Sequence, residues 1–311
     1  MRNLFVFEKE QKVFDICGVK VGGQLGEYPT VLVGTIFYDR HKIVLDPLKG
    51  VFDKEKAEEL LNKQDEMSDK TGNPYIVDVV GSTAEALIKF VDFVASTIDG
   101  PFLIDSTLSS ARIEAFRHAA EIGLTQRAIY NSIESHVKDR DVSALKEIGV
   151  RSAVVLAFDP RNPRPEGRVQ ILQGYPGQVS LLKAAEEAGV QNILVDTAVL
   201  DVPSIGFSAK AIQLVKQEFG LPAGCAPSNA TTTWKKIKKG LSPYAYNVCS
   251  AVVGAVTVFW GANFVLYGPI EDAETAFPAY ATADLINAYY ASRRQKINPK
   301  TQDHPLFKIL K

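Results

Sequence analysis

The chain reads as an α/β protein of the (β/α)8 TIM-barrel type, because short apolar runs and amphipathic helical stretches alternate eight times along its 311 residues. The runs are Val31–Phe37, Tyr75–Val80, Phe102–Ile104, Ala128–Tyr130, Ala153–Phe158, Ile193–Val195, Leu221–Cys225 and Phe264–Tyr267. All are short and several are rich in Val and Ile, as strands buried on both faces should be. A doubly wound open sheet is the structural rival, but it usually carries fewer units and a glycine-rich first turn. Here Tyr38-Asp39-Arg40-His41 follows the first run, with no GxGxxG.

The elements follow in order. Residues 11–23 are expected to form a hairpin that plugs the N-terminal mouth of the barrel, with 1–25 packed on the barrel, 26–290 forming it, and 291–311 a basic tail wrapping the outside or left free. Asp53 can cap a helix over Lys54–Lys70 that Gly72 stops. Ser82-Thr83-Ala84-Glu85 has the pattern of a capping box before Ala86–Ala95. Ser109–Ile122 closes on Gly123, Val142–Ile148 on Gly149, Gln178–Ala188 on Gly189 and Ser208–Phe219 on Gly220. The last helix, Asp272–Tyr290, carries Pro278 and is expected to kink or break there.

One stretch challenges a fully soluble reading. Ser242–Ile270 holds no charged residue and is long enough to span a bilayer. Gly254, Gly261 and Asn263 interrupt it, so the expectation is a buried helix over Tyr244–Trp260, a turn, and a buried strand. An apolar docking face is the alternative.

Composition narrows the function classes. With 35 Lys+Arg against 36 Asp+Glu, the chain lacks the basic surplus that phosphate neutralisation needs, so nucleic acid is not the expected partner. Cys17, Cys225 and Cys249 form no CxxC, which argues against a disulfide scaffold or a thiolate zinc site. The N-terminus meets charge by Glu8, so no secretory signal fits and a cytoplasmic protein is expected.

Chemistry in such a barrel sits at the C-terminal strand ends. This sequence places Asp78, Asp105, Asn131, Asp159 and Asp196 at or near the ends of runs two to six, and Ser228-Asn229 after run seven. Carboxylates accept hydrogen bonds, and an Asn supplies a donor and an acceptor in one plane. Asp105, Asn131 and Asp196 together match a flat heterocycle edge with alternating donors and acceptors, such as that of a pterin. Each alone is equally well read as a helix cap or a turn residue.

Four segments carry a family resemblance. Gly22–Val44, Ser68–Gly81, Phe102–Thr107 and Ala128–Ile133 resemble the H subunits of tetrahydromethanopterin S-methyltransferases, and the likeness runs from about Phe7 to Tyr290. The shorter strand-end motifs are similar to those of the wider pterin-binding barrels, including dihydropteroate synthase. That branch expects a basic Ser-Arg-Lys-like element after the seventh strand, which Cys225-Ala-Pro-Ser-Asn229 lacks.

The resemblance implies a homodimeric pterin-binding barrel. It would take the N5 methyl of methyl-tetrahydromethanopterin and hand it to a cob(I)amide, the first half-reaction of coenzyme M methylation in methanogenesis. The cobalamin-type corrinoid would ride on a partner subunit of a membrane complex, to which this chain attaches peripherally. The resemblance further implies that Asp105, Asn131 and Asp196 hold the pterin and that Asn229, in the matching Ser228-Asn229 pair, approaches N5; Asp78, a strand-end candidate, touches the pterin or closes a turn.

Expelling a reduced pterin through N5 needs a proton or a hydrogen bond that strengthens in the transition state, which an Asn229 amide can donate. Cob(I)amide is itself a strong nucleophile, so no side-chain nucleophile is required.

Several residues have two readings. His41, His118, His136 and His304 show no paired ligand spacing, so no protein-bound metal is expected. Asp39-Arg-His41-Lys-Ile-Val44 is superficially similar to the Asp-x-His-x-x-Gly signature of corrinoid modules, but Val44 replaces the Gly. His41 and Asp159 are therefore second-tier site candidates. Lys235–Lys239, or Arg161, Arg164 and Arg168, can meet the anionic tail of such a pterin or form solvated faces. Trp234 is a docking aromatic or core. The competing functions are a methylcorrinoid:tetrahydrofolate methyltransferase, as in glycine betaine demethylation, and a non-catalytic docking component of a membrane complex. A Schiff-base aldolase fits poorly, since no Lys stands at a predicted strand end.

Overall fold

The computed structural model describes residues 6–234, 242 and 244–310. Its first element is an antiparallel hairpin of β1 (Val13–Ile16) and β2 (Val19–Gly22). The first barrel strand, β3 (Val31–Ile36), is followed by a small antiparallel pair, β4 (Val44–Asp46) and β5 (Val51–Phe52), and by α1 (Lys54–Thr71). Strand and helix then alternate through β6 (Tyr75–Val80), α2 (Ala84–Thr97), β7 (Phe102–Asp105), α3 (Ser109–Glu121), β8 (Ala128–Ile133), α4 (Asp139–Ile148) and β9 (Ser152–Leu156). Two helices, α5 (Pro165–Gln173) and α6 (Leu181–Glu187), lead to β10 (Asn192–Asp196), α7 (Ile205–Phe219) and β11 (Ala223–Cys225). The chain continues through α8 (Ser228–Thr233), α9 (Ala245–Phe259), β12 (Phe264–Pro269), α10 (Ala273–Gln295) and α11 (Pro305–Lys308). Strands β3, β6–β9 and β10–β12 form one closed parallel barrel, with β12 beside β3.

The alternation of side chains along each strand sorts the apolar residues into two clusters. Leu32, Val77, Val79, Ile104, Tyr130, Val155 and Val195 pack outward beneath the helices. Val31, Val33, Ile76, Leu103, Ile129, Val154, Leu194, Phe264 and Leu266 face inward and fill the lower barrel. Ile16 and Val21 of the hairpin join this inner cluster and seal it from below. Each is fully buried, which stabilises the plug by roughly 2 kcal/mol per side chain.

Two polar devices fasten the lower end. The buried Lys216 ammonium on α7 donates to the Gly23 carbonyl (2.8 Å) and Asn263 Oδ1 (2.6 Å), tying the hairpin exit to the start of β12. On α10, Asp284 accepts from the Thr30 amide (2.9 Å), the Thr30 hydroxyl (2.8 Å) and Asn73 Nδ2 (2.7 Å). One carboxylate thus holds the entrances of β3 and β6 to the last long helix. The tail runs beneath the barrel, where the Lys300 amide donates to the Glu27 carbonyl (2.8 Å) and a buried His304 caps α11 through Nδ1.

Local expectations and structure differ in instructive places. Asp53 caps α1 and Gly72 ends it at φ 83°, a conformation costly for a side chain with Cβ. The capping box before α2 is displaced by one residue: Thr83 is the cap, and Glu85 pairs with Lys89 (2.7 Å) instead of reaching back. The Pro-rich stretch after β9 holds α5, with Pro165 in its first turn, where its missing N–H costs nothing. Pro278 does not break α10, since it lies near the helix N-terminus and forfeits a single bond.

The uncharged segment also departs from expectation. Its helix α9 is buried on one face only: Tyr244 (74%), Val248 (59%) and Val252 (59%) form an exposed row at four-residue spacing. At 15 residues α9 is short for a membrane span, and no helix among the described residues is long and apolar enough to cross one. Lys235–Lys239 lie outside the described residues.

Removing the Asp284 carboxylate leaves buried donors on Thr30 and Asn73 without an acceptor. Asp284→Ala is expected to cost about 3 kcal/mol of unfolding free energy, read from the denaturant midpoint. Asp284→Asn should recover little, because its NH2 would face another donor. Full recovery in that variant would refute this account.

Candidate active site

The inward parity that builds the apolar floor continues upward into polar residues. Beyond Val33, Ile76, Leu103, Ile129 and Leu194, the next inward positions are Thr35, Asp78, Asp105, Asn131 and Asp196. Thr35 stands opposite Asp78 and Asp105 opposite Asn131 in the strand registers, while Asp196 pairs with Leu156 on one side and Gly224 on the other. The mouth therefore presents three carboxyl groups, an amide and a hydroxyl directly above a dry floor. The Asn131–Ser132 peptide is cis.

Burial sets the electrostatics. Asp105 is pushed up to about 6 by loss of solvent, opposed by the charge of Arg112 and the Ser106 amide. Asp196 is also pushed up to about 6 by burial, opposed by the Ala198 amide (2.7 Å from Oδ1) and by Arg168. Asp78 is raised well above the carboxylate range by burial and by the neighbouring Asp105 charge. Its Oδ2 accepts from the Thr35 hydroxyl at 2.9 Å.

The cations stand behind the strands. The buried Arg112 on α3 donates to the Ser106 carbonyl, to Tyr130 Oη (3.3 Å) and to Glu134 Oε1 (2.8 Å), bracing the exits of β7 and β8. Arg168 on α5 is fully buried and donates to the carbonyls of Thr197 (2.5 Å) and Ala198 (2.9 Å), fixing the turn after Asp196. Arg168 thus cannot serve as a solvent-facing tail contact. Arg112, Thr35 and Glu134 escaped the sequence reading. Thr35 was recoverable from parity with Val33, whereas Arg112 lies on a helix face and gives no strand-end signal.

The remaining candidates separate. Ser228 and Asn229 open α8 above β11; Ser228 is buried and its hydroxyl donates to the Leu266 carbonyl (3.4 Å). A Cβ at Gly268 (φ 104°) would meet Ser228 Cβ at 2.6 Å, so glycine there permits the close approach of α8 to β12. Asn229 is exposed.

His41 and Asp159 are each held by other side chains of the rim. His41 is buried, with Nδ1 accepting from the Phe37 amide (3.0 Å) and Nε2 lying 2.9 Å from Glu271, so it joins the exits of β3 and β12. With both nitrogens facing protein, it is not presented to a ligand or a corrinoid. Asp159 is gripped by Arg161 Nε (3.0 Å) and by the Tyr175 hydroxyl, which together hold its carboxyl down at about 2. It closes the loop after β9, and Arg161 is occupied there. Arg164 remains exposed, and Trp234 is partly exposed at the end of α8. Among the described residues, no group of three His, Cys, Asp or Glu side chains is arranged to hold a metal ion.

The raised carboxyls have a stability signature. An Asp196 near 6 when folded and near 4 when unfolded makes the folded state bind more protons between those values, so stability falls as pH rises through that window. Asp196→Asn is expected to raise unfolding free energy by about 2 kcal/mol at neutral pH, with the gain shrinking as pH falls below about 6 and gone by about pH 4. A gain independent of pH would contradict the assigned cause.

Comparison with known proteins fits this geometry. A family model described as tetrahydromethanopterin S-methyltransferase MtrH subunit matches residues 9–300. The H subunit of that enzyme from Methanothermobacter thermautotrophicus is 42% identical over 313 residues, covering 99% of this chain and 100% of the relative. Its counterpart from Methanopyrus kandleri is 41% identical, covering 96% and 97%. Among solved structures, dihydropteroate synthase of Xanthomonas albilineans with 4-aminobenzoic acid superposes with a TM-score of 0.61 at 15% identity, covering 89% of this chain and 98% of that one. The Yersinia pestis dihydropteroate synthase bound to a sulfonamide drug gives 0.61 at 12% identity, covering 89% and 100%. At such identities the likeness is one of fold alone. Over nearly its whole length, the chain belongs to the family of tetrahydromethanopterin S-methyltransferase H subunits, a family of methyltransferases.

Proposed function

We propose that the chain binds N5-methylated tetrahydromethanopterin in the barrel mouth and passes the methyl group to a cob(I)amide carried by a partner subunit. The observation that supports this best is the Asp105–Asn131 register pair, with Asp78 and Asp196 beside it over an apolar floor. Asp105 and Asp196, as carboxylates, accept from the 2-amino and N3 groups of the pterin, and Asn131 adds a donor and an acceptor in the ring plane. Ser228 lines the far side.

Asn229 donates its amide N–H to N5, directly or through an ordered water that relays a solvent proton to it, as the C–N bond breaks and its electron pair stays on nitrogen. The contact strengthens as charge builds on nitrogen and is worth on the order of 3 kcal/mol in the transition state. The corrinoid supplies the nucleophile, so the chain's own work is to orient the pterin, exclude water beneath it and hold the leaving nitrogen.

The same proposal places the reaction as the first half of coenzyme M methylation in methanogenesis, within a complex that includes corrinoid-carrying and membrane subunits. Attachment to the membrane is then peripheral and the chain cytoplasmic. Pairing into a homodimer is part of the reading, and the exposed Tyr244–Val248–Val252 row is apolar surface of the kind such contacts cover.

The test is an anaerobic spectroscopic assay with free cob(I)alamin, following methylcobalamin after addition of methyl-tetrahydromethanopterin or methyl-tetrahydrofolate. The former should be the better donor; preference for the folate would place the chain in betaine-type metabolism. Asn229→Ala is expected to lower the single-turnover rate by about a hundredfold or more while leaving the thermal midpoint within a few degrees, because the residue is exposed. A variant as fast as the parent would remove Asn229 from the mechanism.

Pterin affinity should also fall as the medium is acidified through about pH 6, where Asp105 and Asp196 gain protons and lose acceptor capacity. Isothermal titration at stepped pH measures it. An affinity flat across that range would exclude these carboxylates as contacts. Folded protein that binds no pterin would leave the reading as a non-catalytic docking component.

A further inference from the structure

Asp78 stands apart from the other mouth carboxyls in what surrounds it. It is 2% exposed, and its Oδ1 is a fully buried oxygen with no hydrogen-bond partner. Oδ2 is satisfied by the Thr35 hydroxyl, which donates from β3 at 2.9 Å. The remaining influences on this carboxyl are the Asp105 charge on β7, which favours its neutral form, and the Asn131 side-chain amide on β8, which as a donor favours its ionised form. No cation is among them.

The two acids of the pair are provided for differently. Asp105 has the Arg112 charge behind it and the Ser106 amide in front, with Glu134 and Asp196 as the more distant anions. It is also partly open to solvent. Asp78 has the Thr35 hydroxyl as its hydrogen-bonded donor, the Asn131 amide as a second neutral influence, and a neighbouring anion. Two adjacent buried carboxyls cannot both carry full charge, so the negative charge settles on the better-provided member. An ionised Asp78 would leave Oδ1 a desolvated anionic oxygen without a hydrogen bond of its own, a costly arrangement in a protein interior. A neutral acid turns that same oxygen into an O–H donor.

The neighbouring group able to use such a donor without competing with Thr35 is Asn131. Its amide has two chemically distinct ends, and which end faces the mouth depends on what holds the other. An anionic Asp78 would attract the NH2 and leave the oxygen facing the ligand. A neutral Asp78 donates to the oxygen and turns the NH2 outward.

We propose that Asp78 is a positioning residue kept as the neutral carboxylic acid, whose Oδ1–H engages the Asn131 oxygen and presents the Asn131 NH2 to the ligand. The mouth then offers acceptors from Asp105 and Asp196 and a fixed donor from Asn131. This inference rests on the pterin-binding reading for its ligand, but the protonation state itself does not.

Two measurements on the full chain test it. Infrared difference spectra of the unsubstituted protein minus Asp78→Asn, near neutral pH, are expected to contain a protonated carboxyl C=O band that persists when Asp105 is ionised. Carboxylate bands alone would overturn the proposal, whatever the protein binds. Tetrahydromethanopterin affinity is then followed from about pH 5 to about pH 9.5, from the range of Asp105 and Asp196 upward. The unsubstituted protein should lose affinity on the alkaline side as Asp78 ionises and the amide reverses. Asp78→Asn cannot ionise and retains a donor at that position, so its alkaline limb should vanish, with its affinity above that of Asp78→Ala by about tenfold.

An alkaline limb unchanged in Asp78→Asn would overturn the proposal, as would equal losses in the Asn and Ala variants. Absence of pterin binding at every pH, with the acid band present, would sink both the positioning role and the pterin reading. Binding with no acid band would sink the positioning role alone. Thermal midpoints of the variants separate misfolding from these outcomes, and the infrared arm stands even if Asp78→Ala fails to fold.

Discussion

The fold is organised around one unfavourable act, the burial of three carboxyl groups in a single layer of a barrel interior. Water is excluded below that layer because Val33, Ile76, Leu103, Ile129, Val154, Leu194, Phe264 and Leu266 close the lower barrel and Ile16 and Val21 seal it. The floor thus does more than contribute hydrophobic stabilisation. By removing solvent from one side of Asp78, Asp105 and Asp196, it raises their proton affinities and leaves Asp78 Oδ1 without a partner. A looser plug would admit water, satisfy that oxygen and lessen the distinction between the acids.

Such a layer is stable only if its surroundings are held rigid by other means. Asp284 joins the entrances of β3 and β6 to α10, and Lys216 joins the hairpin exit to β12. Both lie at the lower end of the barrel. At the upper end, His41 and Glu271 close the gap between the first and last strands, while Arg112 and Arg168 brace the turns after Asp105 and Asp196. The cations thus stand in the frame of the barrel, turned onto backbone carbonyls and carboxylates, and the mouth keeps its carboxyl groups.

Much of this was legible in the sequence, and the reasons are physical. Eight Val- and Ile-rich runs with glycine-terminated helices between them specify the barrel, because strand and helix periods differ and glycine is needed where a helix turns left-handed, as at Gly72. Asp105, Asn131 and Asp196 were visible as polar residues ending apolar runs. What escaped was information that depends on the third dimension. Nothing local marks Arg112 as a neighbour of Asp105, since it lies on a helix whose other buried residues are Ala and Phe. His41 and Asp159 look like strand-end candidates until their partners Glu271 and Arg161 are placed beside them. Nor can an absence of charge over 242–270 reveal that one face of α9 would remain exposed, because that depends on which neighbours flank it.

The arrangement of charge also bears on selectivity. Both arginines nearest the mouth are turned backward onto carbonyls, so among the described residues the mouth itself offers acceptors and neutral donors but no cation. A ligand that enters with an anionic group foremost would meet Asp105 and Asp196 without a counter-charge, an arrangement that costs several kcal/mol at low dielectric. A ligand that enters with N–H groups foremost instead supplies the donors those oxygens lack. The carboxylate and phosphate tail of a tetrahydromethanopterin must on this argument point outward, away from the acid layer, and the ring edge inward. On the proposed reading, such an orientation suits a methyl acceptor that arrives from outside. The N5 methyl need only be left uncovered on the solvent side, and the exposed position of Asn229 at the rim places the one proposed N5 contact where such an acceptor approaches.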